Sequence, residues 1–190
     1  MQEVAVQTAV RLVTYQEFQQ MPEPHGYYLE LHNGEVVRMT NPAFGHTAIQ
    51  LRLQDLLRSR LKAFGRVGTE FPFRALPEYE GRRADVAYVP KARYGATPLG
   101  DCLPGAPDLT VEVVSPSNTR REIAAKKELC LTNGAIEFWT VRGHGRTVEV
   151  ARADGSTATY RDGDSIPMTA FSVADLPVSA IFDVFSDDEA

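Results

Sequence analysis

"LTVEVVSPSNTRREIAAKK", Leu109 to Lys127, opens as a strand that belongs inside a core, yet it carries a lone carboxylate, Glu112. Alternation along an extended chain puts Thr110, Glu112 and Val114 on one side, and Leu109, Val111 and Val113 on the other. The strand stops at Ser115-Pro116. Thr119-Arg-Arg-Glu122 is a capping-box pattern, in which the threonine and glutamate side chains satisfy each other's backbone N–H groups. Asn133-Gly134 is a stop signal, so a helix is expected over about Arg120 to Thr132, with Lys126 and Lys127 in its second turn.

Working outward, "RRADVAYVP" (Arg82 to Pro90) reads as a second apolar strand with an acid inside it, and Asp85, Ala87 and Val89 share one face. "RVGTEFPFRAL" before it reads as a further strand, with "PEYEG" as the turn between them. Ile49, Leu53, Leu56, Leu57, Leu61 and Phe64 recur at helical spacing up to Gly65. "YYLELHNGEVVRM" is a hairpin turned at Asn33-Gly34. Thr14-Tyr-Gln-Glu17 is another capping box, starting a short helix over about Tyr15 to Met21 that Pro22 stops. Residues 91 to 106 hold Gly and Pro so densely that a surface loop is expected. Beyond the Lys-bearing helix, "AIEFWTV", "TVEVARA" and "TATYRDGD" read as strands, and "FSVADLPVSAIFD" mixes apolar anchors with proline. Interleaved strands and helices around one mixed sheet make an α/β or α+β domain over residues 13–183, with an N-terminal arm (1–12) and an acidic tail (184–190).

At 190 residues and 43% hydrophobic content the chain can bury one core. No run approaches the roughly 18 consecutive apolar residues of a membrane span. "MQEVAVQTAVRLVTY" lacks a basic start and a long apolar run, so no signal peptide is expected. Two cysteines, Cys102 and Cys130, make no disulfide framework, which suits a reducing cytoplasm. A net charge of −5 argues against general affinity for nucleic acid and leaves room for a local basic groove.

Neither Asp85 nor Glu112 can be buried ionised and alone; each needs a cation, a set of donors or water. One divalent cation serves both: Mg²⁺ takes oxygen ligands at about 2.0–2.1 Å from one or two carboxylates plus waters. The Val113 backbone carbonyl would add a third ligand. Such an ion polarises a phosphoryl oxygen and activates water, and a nearby lysine offsets developing charge. The other reading is that both acids are surface-side or salt-bridged structural groups.

The chain resembles the Uma-type family of restriction-endonuclease-like proteins, of the PD-(D/E)XK nuclease superfamily. The resemblance rests on "TYQEFQQMPEP", "YYLELHNGEVVRM", "GRRADVAYVP", "PDLTVEVVSPSNTRRE", "KKELCLTNGAIEFWTV" and "RTVEVAR", spanning about Val13 to Asp183. It implies a restriction-endonuclease-like mixed sheet flanked by helices, a Mg²⁺ or Mn²⁺ cofactor, DNA as partner, and a homodimer as a common assembly. Asp85 matches the first metal carboxylate, with Ala84 in place of the usual proline, and Glu112 matches the second. Val114 occupies the usual lysine position, and the lysine matches Lys126 on the following helix. Glu30 corresponds to a further acid grouped with the site. The helix pattern by itself leaves Lys126 and Lys127 as rivals: a stripe of Ile123, Ala124, Cys130 and Leu131 centres on Lys127, and adding Leu129 shifts it towards Lys126.

His46 is either a phosphate contact or a satisfied structural histidine; His25, His32 and His144 have no ligand spacing, so zinc is not expected. For at least one of Trp139 and Phe138 core packing, not base stacking, is the first reading. Arg82, Arg83, Lys91, Arg93, Arg120 and Arg121 flank the acidic strands and form either a positive rim or an ordinary solvated surface. Two functional readings follow: a metal-dependent endonuclease cleaving phosphodiester bonds in DNA, and a catalytically silent nucleic-acid-binding or interaction module on the same fold.

Overall fold

The structure is a computed structural model that describes residues 11–22 and 24–184; most of the N-terminal arm (1–10) and most of the acidic tail (185–190) lie outside the described residues. Thr14 caps α1 (Tyr15–Gln19) through the reciprocal bonds with Glu17 that the sequence predicts. Asn33 and Gly34 both adopt positive φ, +47° and +82°, and turn β1 (Tyr27–His32) into β2 (Glu35–Thr40), as a primed hairpin turn requires. Helix α2 (Phe44–Leu61) starts five residues before the apolar repeat does. Its N-cap is Ala43, which offers no capping side chain, so the sequence held no start signal. β3 (Gly65–Arg74) begins at a glycine because a Cβ there would overlap the Val89 carbonyl on β4 (Arg82–Pro90).

Residues 91–106 depart from the expected loop. They form α3 (Lys91–Ala96) and a two-residue strand, β5 (Leu103–Pro104), parallel to β3. Arg93 pins this segment, donating to the Asp108 carboxylate and to the Pro104 carbonyl, so side-chain bonds order a stretch whose composition reads as irregular. Then come β6 (Leu109–Val113), α4 (Arg120–Thr132), β7 (Glu137–Arg142), β8 (Thr147–Arg152) and β9 (Thr157–Arg161). The tail is more regular than its prolines suggest: β10 (Ser165–Ile166) and β11 (Leu176–Pro177) pair, and α5 (Val178–Phe182) follows.

A seven-stranded sheet in the order β5-β3-β4-β6-β7-β8-β9 is the centre of the domain. It is mixed: β6 runs parallel to β7 through the α4 crossover and antiparallel to β4. On one face Leu109, Val111, Val113, Trp139 and Val141 pack under Leu53, Leu57 and Leu61 of α2. On the other, Ala87, Val89 and Phe138 pack against Ile123 and Cys130 of α4. Trp139 and Phe138 are both fully buried. Truncating any of these leucines to alanine should cost about 2–5 kcal/mol in lost burial and cavity formation. The β1–β2 hairpin is a separate two-stranded sheet, joined to the central one by the Leu31–Gly81 bridge. No described helix is long and apolar enough to cross a membrane.

Candidate active site

β4 and β6 pair only over Val86–Tyr88 and Leu109–Val111. The next rung of that register would set Asp85 opposite Glu112, and like charges directly across a ladder repel. The strands part there instead. The Asp85 carboxylate fills the gap, its Oδ2 accepting from the Val113 N–H at 2.6 Å. Both acids therefore line one cavity of about 290 Å³ with Glu30 and Lys126. In the structure both lie on the α4 side of the sheet, where Lys126 meets Glu112.

Lys126 and Lys127 go separate ways. Lys126 Nζ lies 2.7 Å from Glu112 Oε1 and donates to the Arg83 carbonyl at 2.6 Å. Lys127 Nζ reaches Glu149 on β8 at 3.0 Å, in a half-exposed pair. Glu30, buried on β1, accepts from the Arg83 N–H at 2.9 Å and meets His32 Nε2 at 2.7 Å. The main chain of Arg83 thus ties the hairpin acid to the helix lysine. The side-chain rim is thinner than the sequence allows: Arg82 is paired with Glu80 and Arg93 with Asp108.

Charge is unbalanced in this cavity. Burial is the largest influence on Glu112 and, with Asp85 and Glu30 beside it, pushes its carboxyl up to about 8 against the pull of Lys126. Burial also works against the charged form of Lys126, but Glu112, Glu30 and Asp85 outweigh it and raise the ammonium. The two shifts are compatible, since three acids surround one ammonium and the surplus proton falls on Glu112, the acid for which burial outweighs the pull of the lysine. Glu30 is held at about 2: burial opposes ionisation, while Lys126, His32 and the Arg83 N–H more than offset it. The Lys126–Glu112 contact is close but poorly aligned, and Glu112 Oε1 has no hydrogen-bond donor. An unpaired buried oxygen of this kind costs about 1–3 kcal/mol unless something else meets it.

Three further residues converge on Asp85. His46 Nε2 lies 3.1 Å from Asp85 Oδ2. Burial pushes its imidazole down, but the bond to Asp85, the Asp85 charge and the Val113 main chain push it up, with a net rise. His46 is thus a partner of the acid as well as a lining residue. Gln50, 3% exposed, donates from Nε2 to Glu70 Oε1 (2.6 Å), the Asp85 carbonyl (3.2 Å) and Asp85 Oδ1 (3.3 Å). Glu70 stands at φ +48° within β3, a conformation that non-glycine residues rarely hold without a local reason. Sequence reasoning passed over both. Gln50 had a signal, being polar within the stripe of Leu53 and Leu57; Glu70 had none.

The donor set suits a hard cation in type rather than in number. A carboxylate offers about four lone-pair sites, and Asp85 uses three, leaving one on Oδ1. Glu112 adds the oxygen that lacks a donor. Among the described residues no group of three or more His, Cys, Asp and Glu side chains is placed to hold a metal, so any ion here would complete its shell with main-chain oxygen and water, as Mg²⁺ commonly does.

A mixed sheet with paired helices on its faces, and with acids and a lysine at the parting of its two central strands, has the architecture of restriction-endonuclease-like nucleases. A "putative nuclease belonging to DUF820" from Anabaena variabilis shares the fold with a TM-score of 0.78, at 22% identity over 90% of this chain and 98% of that one. The family model Uma2, described as "Putative restriction endonuclease", matches residues 15–179, and the chain belongs to that family. No curated protein matches.

Proposed function

We propose that the chain is a metal-dependent endonuclease that hydrolyses phosphodiester bonds in DNA with Mg²⁺ or Mn²⁺. The observation that carries this reading is the Glu112–Lys126 pair set beside Asp85 where β4 and β6 part. Asp85 and Glu112, with the Val113 carbonyl, would hold the ion, which supplies Lewis acidity towards a phosphoryl oxygen and the attacking water. The protein's own contribution is placement. Lys126, kept charged by three acids and anchored on the Arg83 carbonyl, is positioned to offset negative charge as it develops on the phosphoryl group. Glu30 acts through that lysine and through Arg83, holding both in register.

Of the second reading, a silent module that binds nucleic acid or a partner, the internal pairing of Arg82 and Arg93 and the net charge of −5 favour the partner-binding form, without turnover. Incubating the purified protein with supercoiled and linear DNA plus Mg²⁺ or Mn²⁺ separates the two. Cleavage lost in Asp85→Ala supports the enzyme; cleavage equal in the variant comes from a contaminant and removes that support.

A further inference from the structure

A second cavity, of about 360 Å³, lies against the acid site and shares Tyr28 and Arg83 with it. It is as large as small-molecule sites, which run from roughly 300 to 1,000 Å³. Its walls are aromatic and cationic. Tyr15, Phe18 and Tyr27 line it, as do Arg82 and Arg83. Every tyrosine of the wall carries an arginine: Arg74 lies 4.9 Å from the Tyr15 ring centroid, Arg38 3.8 Å from that of Tyr27, and Arg83 4.7 Å from that of Tyr28. Cation–π pairs occur about once per 70–80 residues, so three around one cavity mark a distinct chemistry. Phe18 is half-buried and has no such cation among the described residues.

Arg83 stands at the partition. Its backbone N–H and carbonyl hold Glu30 and Lys126, while its guanidinium stacks on Tyr28 and takes no carboxylate partner among the described residues. Burial and the carboxylates of Glu30 and Glu70 push the Tyr28 phenol up, so at neutral pH it is an uncharged O–H on the acid side of the wall. An unpaired guanidinium is a bidentate partner for phosphate. Aromatic rings and arginine planes are what unstacked bases lie on, whatever their identity. A strand whose phosphate sits beside Asp85 and Glu112 would have Arg83 on that phosphate and an adjoining nucleotide over the second cavity.

We infer that this cavity receives one nucleobase of the DNA substrate, unstacked from its neighbours, with Arg83 gripping the phosphate between base and acid site. The inference rests on the endonuclease reading for its ligand, and its test does not depend on turnover.

Binding is measured with the full chain in EDTA, using a labelled 12-nucleotide single strand and a series in which each position in turn is made abasic. One abasic position should weaken binding about tenfold. Phe18→Ala should weaken the intact strand by a similar factor and leave that abasic strand unaffected, because ring and base act on each other; Tyr27→Ala repeats the cycle should Phe18→Ala fail to fold. Equal loss from every strand, or no position sensitive to base removal, overturns the inference. Asp85-dependent cleavage without this coupling removes the base pocket and leaves the nuclease. Coupling without any cleavage does the reverse.

Discussion

Gln50 joins Glu70 to Asp85 through a single amide nitrogen, 2.6 Å from Glu70 Oε1 and 3.3 Å from Asp85 Oδ1. Two N–H groups serve two carboxylates and a carbonyl, so the amide fixes how the Asp85 carboxylate is turned. Gln50→Leu keeps the apolar stripe of α2 and removes that hold. We expect a loss of about 1–3 kcal/mol in urea unfolding, the cost of buried acceptors left without donors. DNA cleavage should fall further than stability alone explains, when compared at a temperature where both proteins are folded.

The two lysines differ in worth by their surroundings. Lys126→Met should destabilise by about 3 kcal/mol, because it leaves the buried, ionised Glu30 without the ammonium that offsets it. Lys127→Met removes a half-exposed pair with Glu149 and should stay within about 0.5 kcal/mol of the parent. Comparable thermal midpoints for the two variants would contradict the geometry of α4.

Glu30 makes the fold acid-sensitive in a defined window. Its folded carboxyl is held at about 2, below the roughly 4.3 of an unfolded glutamate. The group therefore contributes stability above about pH 4.5 and loses it as pH falls towards 2, to a total of about 3 kcal/mol for a fully buried acid. Urea titrations of the parent and of Glu30→Gln should converge as the pH drops through this range, the difference being largest near neutrality. A parallel offset at every pH would show that Glu30 is not held ionised.

A bound divalent ion should be visible without DNA. At a hundredfold excess over its dissociation constant, Mn²⁺ would add about 2.7 kcal/mol to the folded state. The thermal midpoint should rise on adding Mn²⁺, return on adding EDTA, and stay flat throughout in Asp85→Asn.

The sequence exposed the acids more clearly than it ranked them. Period-two alternation assigned each acid a face within its own strand, the family resemblance grouped the two, and the capping box at Thr119 started α4 where it begins. Yet Glu137 is more buried than Glu112, at 1% exposure against 7%. What separates the two is invisible in one dimension: Glu137 accepts from Trp139 Nε1 and Arg152 Nε at 2.8 and 2.9 Å, while Glu112 Oε1 has no aligned donor. The rival lysines were open for a similar reason. Hydrophobic spacing gives a stripe about a residue wide in uncertainty, and only the positions of Glu112 and Glu149 decide between neighbours. Glu70 was illegible because its backbone, not its residue type, is the unusual feature. Residues 91–106 misled because Gly and Pro content records local propensity, whereas Arg93 supplies long-range bonds.

The hairpin that carries Glu30 is sewn to the central sheet by the Leu31–Gly81 bridge and by contacts at Tyr79 and Glu80. Glu30 thus reaches the cavity on an element separate from the seven-stranded sheet, and the cavity is whole only while the hairpin is docked. Amide exchange should register the difference: Leu31 and Gly81 N–H groups opening in a cheaper, local event than those of β6 and β7. Competence, on this view, depends on a latch that can open while its frame stays intact.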